Sequence, residues 1–336
     1  MARMIDMERV VFTNSGTEAV MTAVRLARTA TGRQKVVIFT NSYHGTFDGI
    51  LGCAKGGDPL RTGTPVAPGI PSSLVHDLIV LDYGTLEALT YIQEHGATLA
   101  AVMVESVQSR HPEHQFGSFL KDVRELTIRS GTALIFYEVI TGFRTGPGGA
   151  QAHFGVKADI ATYGKVLGGG LPIGAVAGKA LYIDPIDGGV WTYGDDSVPE
   201  KDLTFFAGIF CKHPLTMAAA QATLKKLEDG KGAIQKDLNE KVAALVGRLN
   251  GWFEAENVPV KLVNFGSLFR FAFAGNFDLL FYHLVSKGVY IWEGRNLFIS
   301  TAHTKADIDL FEQATKEALI ELREAGFNAG GTPAKK

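Results

Sequence analysis

The chain has 336 residues, a formal net charge of −2 and 20% charged residues, with no block of like charge to suggest nucleic acid or an anionic membrane surface as a partner. Its 46% hydrophobic content supplies a full core, yet no apolar run reaches the ~18 residues needed to span a bilayer. The two cysteines, Cys53 and Cys211, have neither metal nor redox spacing, Met1–Glu8 lacks the apolar centre of a secretory leader, and nothing points to a metal. A reducing, cytoplasmic setting is expected.

In chain order, Arg9–Thr13 predicts a short buried strand, and Asn14–Glu18 (NSGTE) opens a helix running to about Ala30. Ser15 or Thr17 can cap it, with Val20, Val24 and Ala27 at helical spacing. Such a terminus offers amides and two hydroxyls to an anion, or is a plain cap. Lys35–Thr40 predicts a second strand. Tyr43 and His44 follow it, at the strand end where doubly wound sheets bind ligands, unless His44 is only a hydrogen-bonded loop residue. Lys55–Ser73 reads as a long loop, a lid or a partner-facing segment.

Strands at Leu78–Asp82, Leu99–Val107 and Thr132–Val139 alternate with helices at Thr85–His95 and Phe119–Ser130. Near-continuous apolar strands between helices mean an α/β domain with a mainly parallel sheet. Thr141–Val156 reads as a glycine-rich loop and Trp191–Gly208 as irregular and aromatic. Helices Pro214–Asp229 and Ala233–Asn257 lead to a β-β-α-β-β-α run: Val260–Val263, Leu268–Ala274, Phe277–Lys287, Val289–Trp292, Leu297–Thr301 and Ala306–Ala325. The expected division is a large domain over 1–230, a bridging helix over 231–257, a small α+β domain over 258–326 and a disordered tail over 327–336.

The most informative stretch is Thr162–Gly174 (TYGKVLGGGLPIG), in which one lysine lies among small residues. An exposed loop lysine is one reading. The other is a poorly solvated amine whose lowered pKa makes it a nucleophile, with glycines that let a flat ligand approach.

Taken together, Asn14–Ala19 (NSGTEA), Ser42–Gly45 (SYHG), Glu138–Arg144 (EVITGFR), Thr162–Gly174, Phe210–Leu215 (FCKHPL) and Trp292–Thr304 (WEGRNLFISTAHT) resemble the class III aminotransferases, fold-type I enzymes that use pyridoxal 5'-phosphate. The likeness runs from Val11 to about Gly326. It is strongest to the glutamate-1-semialdehyde aminomutase branch and the aminotransferase modules of polyketide and peptide synthases. It implies that Lys165 forms the Schiff base and moves the proton. It also implies that Ser15, Gly16 and Thr17 hold the phosphate, that Tyr43 stacks on the ring beside His44, and that Val139 packs on the other face. The implied partners are an amino acid donor, a keto acceptor that can be a β-keto acyl chain on a carrier protein, and a second copy of the chain in a homodimer.

Three departures stand against that pattern. Where the family has aspartate, which keeps the pyridine nitrogen protonated, this chain has Tyr137, a larger and neutral phenol. Where the family has a threonine that reaches the partner subunit's phosphate, it has Ile209, and Ser106 replaces the usual proline in a milder change. The phosphate loop also begins within fifteen residues of Met1, where the family has roughly a hundred residues before it, so the chain reads as a truncated product or an excised module. The expected activity is therefore amino transfer, with a 2,1-aminomutase or a catalytically impaired homologue as the alternatives.

Overall fold

The computed structural model describes residues 1–56, 61–200, 203–273 and 275–327. The chain divides into two compact units, one of residues 1–108 and 115–232, the other of residues 109–114 and the chain from 233 onward.

The first unit is built on a seven-stranded sheet. Its strands are β1 (Arg9–Thr13), β2 (Lys35–Phe39), β3 (Leu78–Leu81), β4 (Leu99–Val104), β5 (Ala133–Tyr137), β6 (Ile160–Gly164) and β7 (Gly174–Gly178). In space they run β1-β7-β6-β5-β4-β2-β3. The block from β3 through β6 is parallel, whereas β7 is antiparallel to both β6 and β1. β4 and β5 are buried at every residue, as their unbroken apolar sequences demand. The fold is thus α/β with a mainly parallel sheet.

The helix Gly16–Thr31 starts directly after β1 because its cap is reciprocal. The Glu18 amide donates to Ser15 Oγ (3.2 Å), and the Glu18 carboxylate accepts from the Asn14 amide (2.8 Å). The left-handed Gly32 ends it. Its apolar face, including Val20, Ala23, Val24 and Ala27, joins one core cluster with Ile135, Ile160 and Val176 of the sheet. Burial of Val20 and Val24 contributes roughly 2 kcal/mol apiece.

Two stretches read as loops contain structure. Within and beside Lys55–Ser73, Gly52–Ala54 pairs with Gly63–Pro65 as a two-stranded ribbon, and Ser72–Val75 forms a turn of helix. Thr64 Oγ1 donates to the Cys53 carbonyl, a bond across the ribbon that no short-range pattern announces. Residues 57–60 of that loop, 201–202 of the aromatic stretch and 328–336 of the expected tail lie outside the described residues. Within Thr141–Val156, Gly149–Phe154 is helical because the Glu138 carboxylate, from just beyond β5, accepts the amides of Ala150 (3.1 Å) and Gln151 (2.9 Å).

In the second unit, the helix Ala233–Ala255 packs Val242, Leu245, Leu249 and Phe253 into a core cluster with Leu262, Phe269 and Phe271. Those residues belong to the antiparallel strands Val260–Phe265 and Leu268–Phe273. Helices Asp278–Ser286 and Lys305–Glu324 complete the unit, the latter opened by a Thr304–Asp307 capping box. Val289–Trp292 is not the expected strand, and only Leu297–Phe298 of Leu297–Thr301 is paired. Left-handed glycines 288 and 294 bracket the segment, and Tyr290 and Trp292 face outward, leaving Ile291 as its buried residue.

Candidate active site

A parallel sheet presents the C-terminal ends of its strands along one edge, and the loops there converge on a common crevice. In this chain β1 delivers Ser15, Gly16 and Thr17, the loop after β2 delivers Tyr43 and His44, β5 ends in Tyr137, and β6 runs into Lys165. Ser15, Gly16, Thr17, Tyr43, Tyr137, Val139 and Lys165 line one cavity of about 500 Å³ in the first unit.

The two loops flanking the helix terminus are tied together. Thr17 Oγ1 accepts the Thr46 amide at 3.2 Å and lies 3.4 Å from Thr46 Oγ1. Gly45 adopts φ +91°, and a Cβ there would come within 2.7 Å of Thr17 Oγ1, so the turn requires glycine on both counts. Gly174 on β7 lies so close beneath Ser15 that a Cβ would stand 2.1 Å from the Ser15 carbonyl oxygen. The first amides of the helix have no intrahelical partner and carry the positive end of its dipole, a ready anion site.

Lys165 holds a left-handed backbone, φ +45°, unusual for a residue with a side chain. Burial lowers its pKa below the ordinary lysine value; the neighbouring Arg144 charge lowers it further, and Glu105 opposes both. Burial also brings Arg144 itself down to about 10. An amine whose pKa is lowered in this way is a better nucleophile and proton acceptor near neutrality than a fully solvated lysine.

Around Tyr137 the chemistry differs. The residue is 2% exposed, and burial, then Glu105, then Tyr43 push its phenol pKa above the ordinary value, so it stands neutral. Tyr43 meets it edge to face at 6.5 Å, and His44 does so at 5.4 Å. His44 is buried, and desolvation brings its imidazole down to about 3. Glu105, also buried, accepts the Tyr43 amide at 3.0 Å. An acidic residue closing the apolar run of β4 was the available signal for Glu105, but its reach to Tyr43 comes from the fold. Leu171, Pro172 and Ile173 of the glycine-rich segment also line the cavity without having been singled out.

Ile209 does not join this group; it is 91% exposed and outside the cavity lining. Among the described residues no helix is long and apolar enough to cross a membrane.

A lysine of lowered pKa at a strand end, lining one cavity with a helix terminus at the edge of a mainly parallel α/β sheet, is an arrangement that suits the transaminase fold. The chain matches the family model for class III aminotransferases over residues 1–315 and belongs to that family. It is 36% identical over 335 residues to a glutamate-1-semialdehyde 2,1-aminomutase of Alkaliphilus oremlandii, covering 95% of this chain and 75% of the relative. In three dimensions it is similar to an omega-transaminase from Sphaerobacter thermophilus (TM-score 0.85, 28% identity, 96% of this chain and 76% of the other). It is likewise similar to a transaminase with PLP bound (TM-score 0.82, 26% identity, 97% and 76%).

Proposed function

We propose that the chain binds pyridoxal 5'-phosphate at Lys165 and transfers an amino group from an amino acid donor to a keto acceptor. The observation that carries this reading is the desolvated Lys165 amine lining the same cavity as the helix terminus at Ser15–Thr17. Free amides and the Ser15 and Thr17 hydroxyls suit a phosphate, and the lysine suits an aldehyde. When bound, the cofactor supplies a conjugated ring that withdraws electrons from the donor's α-carbon. Lys165, with its lowered pKa, is the group able to take and return the α-proton. Tyr43, 38% exposed and on the cavity wall, offers its face to a flat ring, and Val139 fills space beneath Gly16.

The fit ends at Tyr137. A neutral phenol held above its usual pKa supplies no negative charge to a pyridine nitrogen, so the chain carries the binding apparatus with a weakened electron sink. Several kcal/mol of transition-state stabilisation are lost, on the order of a hundredfold or more in rate.

A second reading is the 2,1-aminomutase, favoured by the 36% identity to such an enzyme. It uses the same residues but retains the intermediate and moves the amine within one molecule. A β-keto acyl chain on a carrier protein stays the more specific acceptor proposal, and a homodimer, in which Ile209 of one copy meets the phosphate of another, the proposed assembly.

The test is a visible spectrum of the protein with added pyridoxal phosphate, beside Lys165→Ala, followed by glutamate. A lysine-dependent band that shifts with donor and releases a keto acid supports transamination; a shift without keto-acid release supports the mutase. A band indifferent to every donor leaves a cofactor binder, and no band at all overturns the reading.

A further inference from the structure

A tight turn at residues 111–114 (HPEH) gathers three metal-ligating side chains that the proposed amino transfer does not use. It lies in the segment Ser109–His114, which belongs with the second unit. The His114 amide donates to the His111 carbonyl at 2.9 Å and closes the turn. Pro112 occupies its second position, where a fixed φ presets the bend. The two imidazoles are thereby brought together, stacked with centroids 5.2 Å apart and 13° between their planes. Neither cysteine takes part, and H-x-x-H spacing alone fits many turns, so the sequence does not announce the cluster.

Glu113 adds a carboxylate to the pair. Its Oε1 lies 3.4 Å from His111 Nδ1 and 4.0 Å from His114 Nε2. One ligand atom from each of the three residues lies within 4.8 Å of the other two. As ion pairing alone the arrangement achieves little: the longer contact is beyond a hydrogen bond, and exposed pairs contribute weakly. A tetrahedral zinc ion with bonds of about 2.0–2.1 Å sets its ligand atoms about 3.3–3.4 Å apart. The His111–Glu113 spacing already matches. The wider spacings close by up to about 1.5 Å on rotation of two partly exposed rings.

The surroundings narrow the choice of ion. Arg110 adjoins the turn in the chain, and Glu113, Arg110 and Arg295 all act on the Arg270 guanidinium. Neighbouring positive charges weaken a cation held by charge alone, and calcium and magnesium take oxygen ligands. Two imidazole nitrogens and one carboxylate instead suit a borderline transition metal, and zinc uses this donor set with water as the fourth ligand.

We infer that His111, Glu113 and His114 form a three-ligand site for a divalent transition metal, with Zn²⁺ as its fitting occupant and a water in the fourth position. The site is independent of the pyridoxal phosphate reading and is tested without the cofactor.

The experiment titrates the full chain, free of pyridoxal phosphate, with zinc chloride by calorimetry, beside Glu113→Gln, His111→Ala and His114→Ala. One equivalent is expected to bind with a dissociation constant on the order of micromolar, weakened about tenfold or more in each variant. Arg110→Gln removes an adjacent positive charge and should tighten binding. Cobalt gives a second readout on the unmodified protein, which holds even where a variant does not fold. The first equivalent should raise the visible band of tetrahedral cobalt and perturb the ring NMR signals of both His111 and His114. Zinc that binds equally well to all three variants, or only at millimolar concentration, overturns the inference. So does cobalt that leaves those two rings unperturbed.

Discussion

The cavity has two sides with different histories in the sequence. Ser15, Gly16, Thr17 and Lys165 form a consistent set: a capped helix terminus, a left-handed lysine with a lowered pKa, and glycines where the backbone leaves no room for a Cβ. Tyr43, His44 and Tyr137 form an inconsistent one, a neutral phenol over a buried imidazole with no partner. On the proposed reading, holding a ligand and activating it draw on different strand ends, although Val139 and Tyr137 share a core cluster with the helix that follows β1.

The largest expected effect is on the consistent side. Lys165→Ala removes both nucleophile and base, and any amino transfer should fall on the order of a thousandfold or more, read as loss of the lysine-dependent band and of keto-acid release. Next comes Tyr137→Asp, expected to raise the donor half-reaction about a hundredfold in single-turnover kinetics. No gain, with cofactor still bound, would mean that the phenol at position 137 does not limit the reaction.

Two pH effects sharpen the contrast. The Lys165 pKa lies below the ordinary lysine value, so reductive trapping of pyridoxal phosphate should rise with pH to a midpoint lower than that of an exposed lysine. Arg144→Gln removes a positive neighbour and should raise that midpoint. On the other side, His44 takes up a proton in the unfolded chain near its ordinary pKa but stays neutral in the folded one until about 3. The unfolded state therefore binds more protons in that window, and the protein loses stability as pH falls through it, by about 1.4 kcal/mol per unit for one such group. His44→Phe should flatten the acid limb of denaturant midpoints by that slope.

Smaller effects follow from single contacts. Gly45→Ala forces a side chain into a left-handed turn against Thr17 and should cost about 1–3 kcal/mol, with weaker cofactor retention on dialysis. Ile209→Thr, on a 91% exposed position, should change stability by less than about 0.5 kcal/mol. If a second copy brings this residue to the phosphate, the same variant should tighten cofactor binding at concentrations where the dimer forms.

Much of the fold was legible because its signals are local. The NSGTE cap, the apolar runs of β4 and β5 and the glycines after Lys165 each declare their structure within a few residues. What escaped depends on residues far apart in the chain. The helix Gly149–Phe154 is capped by Glu138, and the ribbon beside Lys55 is closed by bonds between Cys53 and Thr64. Glu105 acquires its place only when β4 lies beside β2, which carries the Tyr43 loop. Val289–Trp292 misled for the opposite reason: its alternation is real, but flanking left-handed glycines turn its aromatics outward.

The antiparallel β7 has a consequence of its own. It leaves the lysine turn, runs back between β6 and β1, and brings Gly174 against the Ser15 carbonyl. The backbone of the lysine turn and the helix terminus are thereby fastened to the same ribbon, and neither can advance on the other without breaking sheet hydrogen bonds. On the proposed reading, the span left for a ligand varies only with the lysine side chain, so an anionic aldehyde one methylene longer is expected to bind more weakly by about 1–3 kcal/mol.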